Sequence, residues 1–454
     1  MTGDAARALA HHAATVSCED LPEAALEATR KFLLDSFGVA LAGSAAPWAK
    51  ELADMQHSWG RGTDARNWAF GTMMPAPAAA FANAYQLHNS EFDCIHEEAV
   101  VHPMAVTLPA LMAVAERKGG ISGREFILAL TLGVDIACHI GVAVQGRMRF
   151  FRPATAGAFG AVAAIGRLQG FRAETILDAM GAVYSQLCGT MQAHHEGSSL
   201  LAMQIGFNAR NAVVACDMAA AGMQAPRDML EGPYGYFSLF ESGADFESLR
   251  SSLGKIWRIT EVAHKPFPTG RATHGVVDAL LDLQKSEGFQ ADAVERVTAH
   301  VPPLTYQLVG RLPAADMTAN QARLCIAFAG ARALLNQGLG IADFQPAALR
   351  DATTHNLASR ISVSVDNNPD PNALAPVHVE VQLNNGRVLS HSAAVIYGNP
   401  AKPMSHEAHL AKFRRNWDSS AVALPPANAE RLIDAVTQIE SLPDVTALVD
   451  LLVP

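Results

Sequence analysis

The stretch SGREFILALTLGVDIACHIGVAVQ, residues 122–145, decides the fold. Ser122 stands three residues ahead of Glu125, the spacing of a capping box, and predicts a helix from Gly123 to about Gln145. Apolar residues then cover nearly every face of that helix. Phe126, Ile127, Leu130, Val134 and Ile140 leave only Asp135 and His139 as polar interruptions, so it runs through a core rather than over a surface. Asp135 is then a buried carboxylate that needs a hydrogen-bonding partner.

Outward from this helix, residues of about 20 to about 260 keep a helical period between Gly, Pro and Ser punctuation, and no strand is expected there. The segment ATAGAFGAVAAIG (154–166) is rich in small residues, which on a helix lets a second backbone come close. It lacks the G-x-G-x-x-G spacing of a nucleotide site, and no Walker A motif occurs elsewhere. After about residue 290 the period falls to two. Val297, Ala299 and Val301 alternate with Thr298 and His300, and Ile361, Val363 and Val365 alternate with serines. Val377, Val379, Val381 and Leu383 alternate with polar residues before Asn384-Asn385-Gly386, a hairpin signal. A helix from about Ala319 to Asn336 lies between these strands, so residues 262–398 read as one α+β unit. The tail is helical again, with Leu432, Ile433, Val436 and Ile439 as an apolar stripe.

The chain has 454 residues, 50% of them hydrophobic and 17% charged, enough for two or three domains with real cores. Its 34 Lys and Arg against 44 Asp and Glu give a formal charge of -10, and no basic block stands out. Nucleic acid is therefore not an expected partner. Cys18, Cys94, Cys138, Cys188, Cys216 and Cys325 never form a close pair, which fits reduced thiols in a cytoplasmic protein. The start, MTGDAARALAHHAA, lacks the pattern of a signal peptide. The uncharged stretch Ala99 to Ala115 contains His102, Pro103 and Pro109 and would be a poor bilayer span, so no membrane is expected.

The reactive residues concentrate in HNSEFDCIHEEAVVHP (88–103), where three histidines, Asp93 and three glutamates crowd a stretch of a charge-poor chain. Histidine moves its proton near neutral pH, and adjacent carboxylates orient its ring, so an acid/base site is the reading. A solvated acidic loop is the alternative. His102 precedes a helix opening at Pro103, where free N–H groups favour an anionic substrate group. His96, Glu97 and His102 offer metal-ligand atoms, but their spacing matches no standard zinc pattern, and no metal is expected. Cys94 sits among acids that raise its pKa. In KPFPTGRATH (265–274) two prolines hold the backbone extended and Gly270 lets it turn, so Lys265, Arg271 and His274 can converge as an anion cradle. Arg152, in the basic run GRMRFFRP, could reach an anionic ligand or lie solvated at a helix end. His194-His195-Glu196 precedes another helical run, without the G-x-S-x-G of a serine hydrolase around Ser198.

Six stretches carry a resemblance to the MmgE/PrpD family, which includes 2-methylcitrate dehydratase and cis-aconitate decarboxylase. They are LLDSFGVALAG (33–43), AAFANAYQLHNSEFD (79–93), HPMAVTLPALMA (102–113), ATAGAFGA (154–161), LEGPYGYF (230–237) and KPFPTGRATHG (265–275). The resemblance implies a mainly α fold: a large all-helical domain over 1–261, an inserted α+β lid domain over 262–398, and C-terminal helices over 399–454 that return to the helical domain. It also implies a homodimer and a cofactor-free cleft between the domains. The family's D-x-D-D-T-H segment falls on Glu91-Phe92-Asp93-Cys94-Ile95-His96, its H-P histidine on His102, and the lysine of its K-P-[YF]-P motif on Lys265. The chain departs from the family where the histidine before the small-residue helix becomes Arg152. It departs again where a lysine becomes Leu201, a neighbouring histidine becomes Gln204, and the decarboxylase's second-domain histidine becomes Gly270. These changes point away from cis-aconitate decarboxylation.

The expectation is a cofactor-independent lyase of the dehydratase or hydratase type, abstracting a proton α to a carboxylate on a small di- or tricarboxylic acid. His102, Asp93, His96 and Lys265 are the expected catalytic residues, and Glu91, Arg152, Arg271, His274 and Gln204 the expected substrate contacts. Alternatives are an isomerase or epimerase of a related dicarboxylate, which shares the base and anion clamp, and a non-catalytic metabolite-binding dimer. Leu201 removes a cation from the expected pocket, which suits a substrate with fewer carboxylates or a larger apolar part.

Overall fold

The structure, a computed structural model, describes residues 4–454. It is mainly α, with a large helical domain and a smaller α+β region. The capping box at Ser122 forms, and the helix it opens runs Gly123–Val142, ending three residues before the expected Gln145. This helix is long and apolar enough to cross a bilayer, yet it is enclosed by Arg152–Leu168, Pro103–Lys118 and the first long helix, Glu23–Ser44. Asp135 finds its partners inside: His12 Nε2 at 3.3 Å, His139 Nε2 at 3.5 Å, and the backbone N–H of Arg258, which donates to it at 2.8 Å.

The small-residue segment is a close helix crossing. A Cβ on Gly160 would stand 2.3 Å from the carbonyl oxygen of Gly133, so the two backbones touch where neither residue has a side chain.

In the α+β region the four strands lie in the order Ile361–Val365, Val294–Val301, Val377–Leu383, Val388–Ala393. The first pair is parallel and the other two are antiparallel. The Asn384-Asn385-Gly386 hairpin forms as expected, with Gly386 at φ +83°. Helix Arg271–Glu287 covers the sheet, and helix Ile326–Asn336 packs on that helix in turn. The single helix expected over 319–336 is broken: Ala319–Arg323 stops, Cys325 is extended, and Ile326–Asn336 restarts. The break has a tertiary cause. The Arg323 carbonyl accepts the Gly270 N–H at 3.1 Å and Cys325 bridges Gly310, so these residues serve the domain junction rather than a helix.

The helical half also holds strands that periodicity did not reveal. Ala65–Arg66 pairs with Met73–Met74, and Ile95–His96 pairs antiparallel with Val262–Ala263. At two residues each, they are too short to leave an alternating pattern.

Helix His406–Asp418 packs along Glu23–Ser44, so the C-terminal chain returns to the helical domain. The contact includes a buried charge cluster. Lys412 Nζ lies 2.7 Å from Asp35 Oδ1, and His264 Nε2 lies 2.9 Å from the same oxygen. Lys412 also donates to the Phe92 carbonyl at 3.0 Å and sits over the Phe92 ring. Burial would raise the Asp35 pKa, but His264 and Lys412 hold it well below the carboxylate range.

Two outcomes follow for stability. Gly160→Ala forces the Gly133 and Gly160 backbones apart and should destabilise by about 1–3 kcal/mol, read as a lower urea midpoint with unchanged slope. Lys412→Met leaves Asp35 buried without its cation and should cost about 3–5 kcal/mol, with much of that loss recovered when Asp35→Asn is added.

Candidate active site

Helix Ala76–His88 delivers His88 on its last turn, and helix Pro103–Lys118 begins immediately after His102, its N-cap residue. The loop between them curls so that both imidazoles meet Asp93. His88 Nδ1 and His102 Nδ1 each lie 3.0 Å from Asp93 Oδ2, and the two rings stand edge to face with centroids 4.9 Å apart. All three side chains are buried.

Three cations hold this loop by its backbone. Arg323 donates to the Asn89 carbonyl at 3.2 Å, Lys265 to the Glu91 carbonyl at 3.1 Å, and Lys412 to the Phe92 carbonyl. Lys265 also meets Glu91 Oε2 at 3.1 Å. The pairing of Ile95–His96 with Val262–Ala263 explains how Lys265 arrives there, because it joins the acidic loop to the crossover just ahead of the Lys265-Pro266 motif. Glu91 and Val100 hold φ values of +52° and +51°, a left-handed backbone that the surrounding contacts must impose.

The environments split the two histidines. Burial lowers the His102 pKa, and the opposing pull of Asp93 does not restore it. Burial also acts on His88, but the Asp93 charge and hydrogen bond, with Glu91 behind them, raise it overall. His102 is thus neutral near pH 7, donating from Nδ1 to Asp93 and keeping a lone pair on Nε2, while His88 is the ring of the pair that holds its second proton to the higher pH. Burial likewise opposes ionisation of Glu91, yet Lys265 and the two histidines bring its pKa down to about 2.

His102 borders a small cavity of about 50 Å³ between the two domains, room for a few waters. Glu91, Phe151 and His194 line it from the helical side; Gly270, Arg271 and Leu324 line it from the α+β side. Apolar side chains make most of the wall. His194 is neutral there, its pKa lowered to about 4 by burial. A Cβ on Gly270 would stand 2.8 Å from Leu324 Cδ2, so the glycine keeps this wall close.

Asp93, His102, Glu91 and Lys265 therefore come together. The other expected residues do not join them as free groups. His96 faces away: its Nε2 meets Glu261 at 2.9 Å and its Nδ1 accepts the Ala99 N–H, so both ring nitrogens are engaged. Arg152 is fully buried in a forked pair with Glu241, at 2.9 and 3.2 Å, and donates to the Ala99 carbonyl. It does not line the cavity, although its neighbours Phe151 and Pro153 do. Arg271 borders the cavity, but its head group is spent on Glu97 at 2.6 Å and on the carbonyls of Tyr397, His264 and Ile396. His274 donates to the Thr269 carbonyl within the core, and burial, reinforced by Arg271, keeps it neutral. Gln204 exchanges hydrogen bonds with the backbone of Thr190, outside the cavity. Leu201 belongs to the hydrophobic core.

Sequence reasoning passed over His88, although it opens the reactive stretch, because nothing local shows that it and His102 share one carboxylate. It also passed over Arg323 and Lys412, whose partners lie 234 and 320 residues away. Burial, more than the acidic neighbours, raises the Cys94 thiol well above the usual range, and all six cysteines are free.

Among the described residues, two groups could present atoms to a cation: His88, Asp93 and His102, and Asp35, His264 and His409. In the first, the ion would have to replace both Nδ1 protons that bond Asp93. In the second, the Lys412 ammonium already occupies the carboxylate and would repel it.

The sequence matches the MmgE/PrpD N-terminal domain over residues 7–249 and the MmgE/PrpD C-terminal domain over residues 267–440. The cis-aconitate decarboxylase of Aspergillus terreus is 26% identical over 469 aligned residues, which cover 98% of this chain and 95% of that protein. The cis-aconitate decarboxylase of Mus musculus is 26% identical, covering 95% of this chain and 90% of its own, and that of Homo sapiens is 25% identical, covering 95% and 91%. Both domains are matched in order along most of its length, and the chain belongs to the MmgE/PrpD family.

Proposed function

We propose that this protein is a cofactor-independent lyase of the dehydratase or hydratase type that abstracts a proton α to a carboxylate of a small carboxylic acid. The observation that carries the reading is the buried His102–Asp93 pair, with an imidazole whose Nδ1 is held by Asp93 and which lines a small cavity. In this mechanism His102 Nε2 takes the α-proton, and Asp93 keeps the ring in one tautomer and balances the imidazolium that forms. The C–H electrons become the new double bond as the β C–O bond breaks. The proton on His102 then passes to the departing hydroxide, and water leaves. The start of helix Pro103–Lys118 favours negative charge on the reacting carboxylate.

The relatives favour a second reading, since those cited carry the name cis-aconitate decarboxylase. In it the C–C bond to a carboxylate breaks, carbon dioxide leaves with the bonding electrons kept on carbon, and that carbon takes a proton that His102, neutral at rest, must first have gained from water. Incubation with a panel of carboxylic acids in D2O, followed by NMR, absorbance and mass spectrometry, separates the readings by the product: an alkene with water, carbon dioxide, or exchange alone.

His102→Asn should lower exchange and turnover by roughly 100-fold or more. Undiminished exchange in that variant would remove His102 as the base. The rate should also form a bell in pH. It falls on the acid side as His102 gains a proton, and because burial lowers that pKa the fall lies below the ordinary histidine value of 6.5. It falls on the alkaline side as His88 loses its proton, above 6.5 because Asp93 raises it. An acid limb centred above 6.5 would contradict the assignment.

A further inference from the structure

A second, larger cavity of about 700 Å³ adjoins the small one and shares His194 and Leu308 with it. Its wall includes Arg149, Arg311, His195 and Leu312. The arginines here differ from those inside. Arg152 and Arg271 spend their N–H groups on internal carboxylates and carbonyls, while Arg323 bonds the Asn89 carbonyl and, like Arg311, keeps a buried Nε without an acceptor. Arg311 gives one N–H to the His194 carbonyl at 3.0 Å, while its Nε is buried with no acceptor. No carboxylate pairs with Arg311 or Arg149 among the described residues, and Arg149 is exposed. The buried Nε is out of a ligand's reach, but the terminal Nη1 of Arg311 has no partner among the described residues and is not among the buried unsatisfied atoms, and a guanidinium in that state is matched by an anionic oxygen.

The inner cavity has the opposite character. Its only lining cation, Arg271, is saturated, Glu91 adds a negative charge, and the rest of the wall is largely apolar. A compact tricarboxylate would place several charges where no free cation meets them. An elongated acid would not, because its far carboxylate can lie outside.

We propose that the outer cavity is an anion subsite in which Arg149 and Arg311 receive the distal carboxylate of an elongated dicarboxylic acid, whose reacting end reaches His102 past His194 and Leu308. The assignment rests on the His102 site proposed above, and it makes Arg149 and Arg311 specificity residues rather than catalytic ones. It also requires the lining segments to part for entry, since the inner space holds only a few waters.

The test is calorimetric titration of the full chain with linear α,ω-dicarboxylates of four to ten carbons and with monocarboxylates of equal length. Wild type is compared with Arg149→Gln, Arg311→Gln and the double variant. The expected result is a chain length at which the dicarboxylate binds at least tenfold tighter than its monocarboxylate, an advantage lost in the double variant while monocarboxylate binding persists. Equal affinities at every length, no dicarboxylate binding, or an advantage that survives both substitutions would overturn it. Arg149→Gln alone, at an exposed position, keeps the test valid if the Arg311 variant folds poorly. Arginine-dependent binding without His102-dependent exchange would keep the subsite and remove the lyase reading. The reverse pattern would keep the lyase and remove the subsite.

Discussion

The site depends on one carboxylate shared by two imidazoles. Asp93 is fully buried, and its Oδ2 is 3.0 Å from both His88 and His102. In low dielectric, one carboxylate favours one imidazolium, and the local surroundings decide which ring takes the proton. Glu91 stands on the His88 side, with His88 Nε2 3.8 Å from its Oε1, so the charge settles there. His102 is left neutral with its free nitrogen at the cavity. The division of labour between two chemically identical side chains thus comes from the balance of burial and Asp93 at each ring, with Glu91 adding to it on the His88 side.

Such an arrangement needs a rigid loop, and residues 89–101 have little regular structure to make them rigid. Cations supply the rigidity. Arg323, Lys265 and Lys412 each bond a backbone carbonyl between Asn89 and Phe92. They come from the α+β domain, the crossover into it and the C-terminal helices, so the loop is set only when all three parts of the chain have assembled. Asp35 ties Lys412 and His264 together behind the loop. These charges are worth little as net stabilisation, but removing one partner strands the other in the core.

The same economy of pairing governs the substrate surface. The interior arginines that the sequence suggests as clamps, Arg152 and Arg271, already hold the protein together through Glu241 and Glu97. Leu201 and Gly270, in place of a lysine and a histidine in the family pattern, lower the polarity of the core and of the cavity wall respectively. Unpaired guanidinium groups occur instead at the cavity mouth.

Much of the architecture is local and therefore legible in the chain. The capping box at Ser122, the unbroken apolar faces of 123–142, the small-residue crossing at Gly160 and the alternating strands with their Asn-Gly turn each follow from neighbours a few residues apart. So does the concentration of acid and imidazole between His88 and His102. The break at Leu324–Cys325 and the two-residue strands escaped because they answer to distant backbone groups rather than to a period.

What the sequence by itself determined is the class of fold, the stretch that holds the chemistry and the family to which the chain is similar. Only the tertiary structure decided which histidine lies neutral beside the cavity, that His96 and Arg152 turn to Glu261 and Glu241, and that Arg149 and Arg311 have no carboxylate partner among the described residues. The reason is physical: periodicity is set by adjacent residues, whereas burial and charge pairing are set by partners as far as 320 residues away, which meet only in the folded chain.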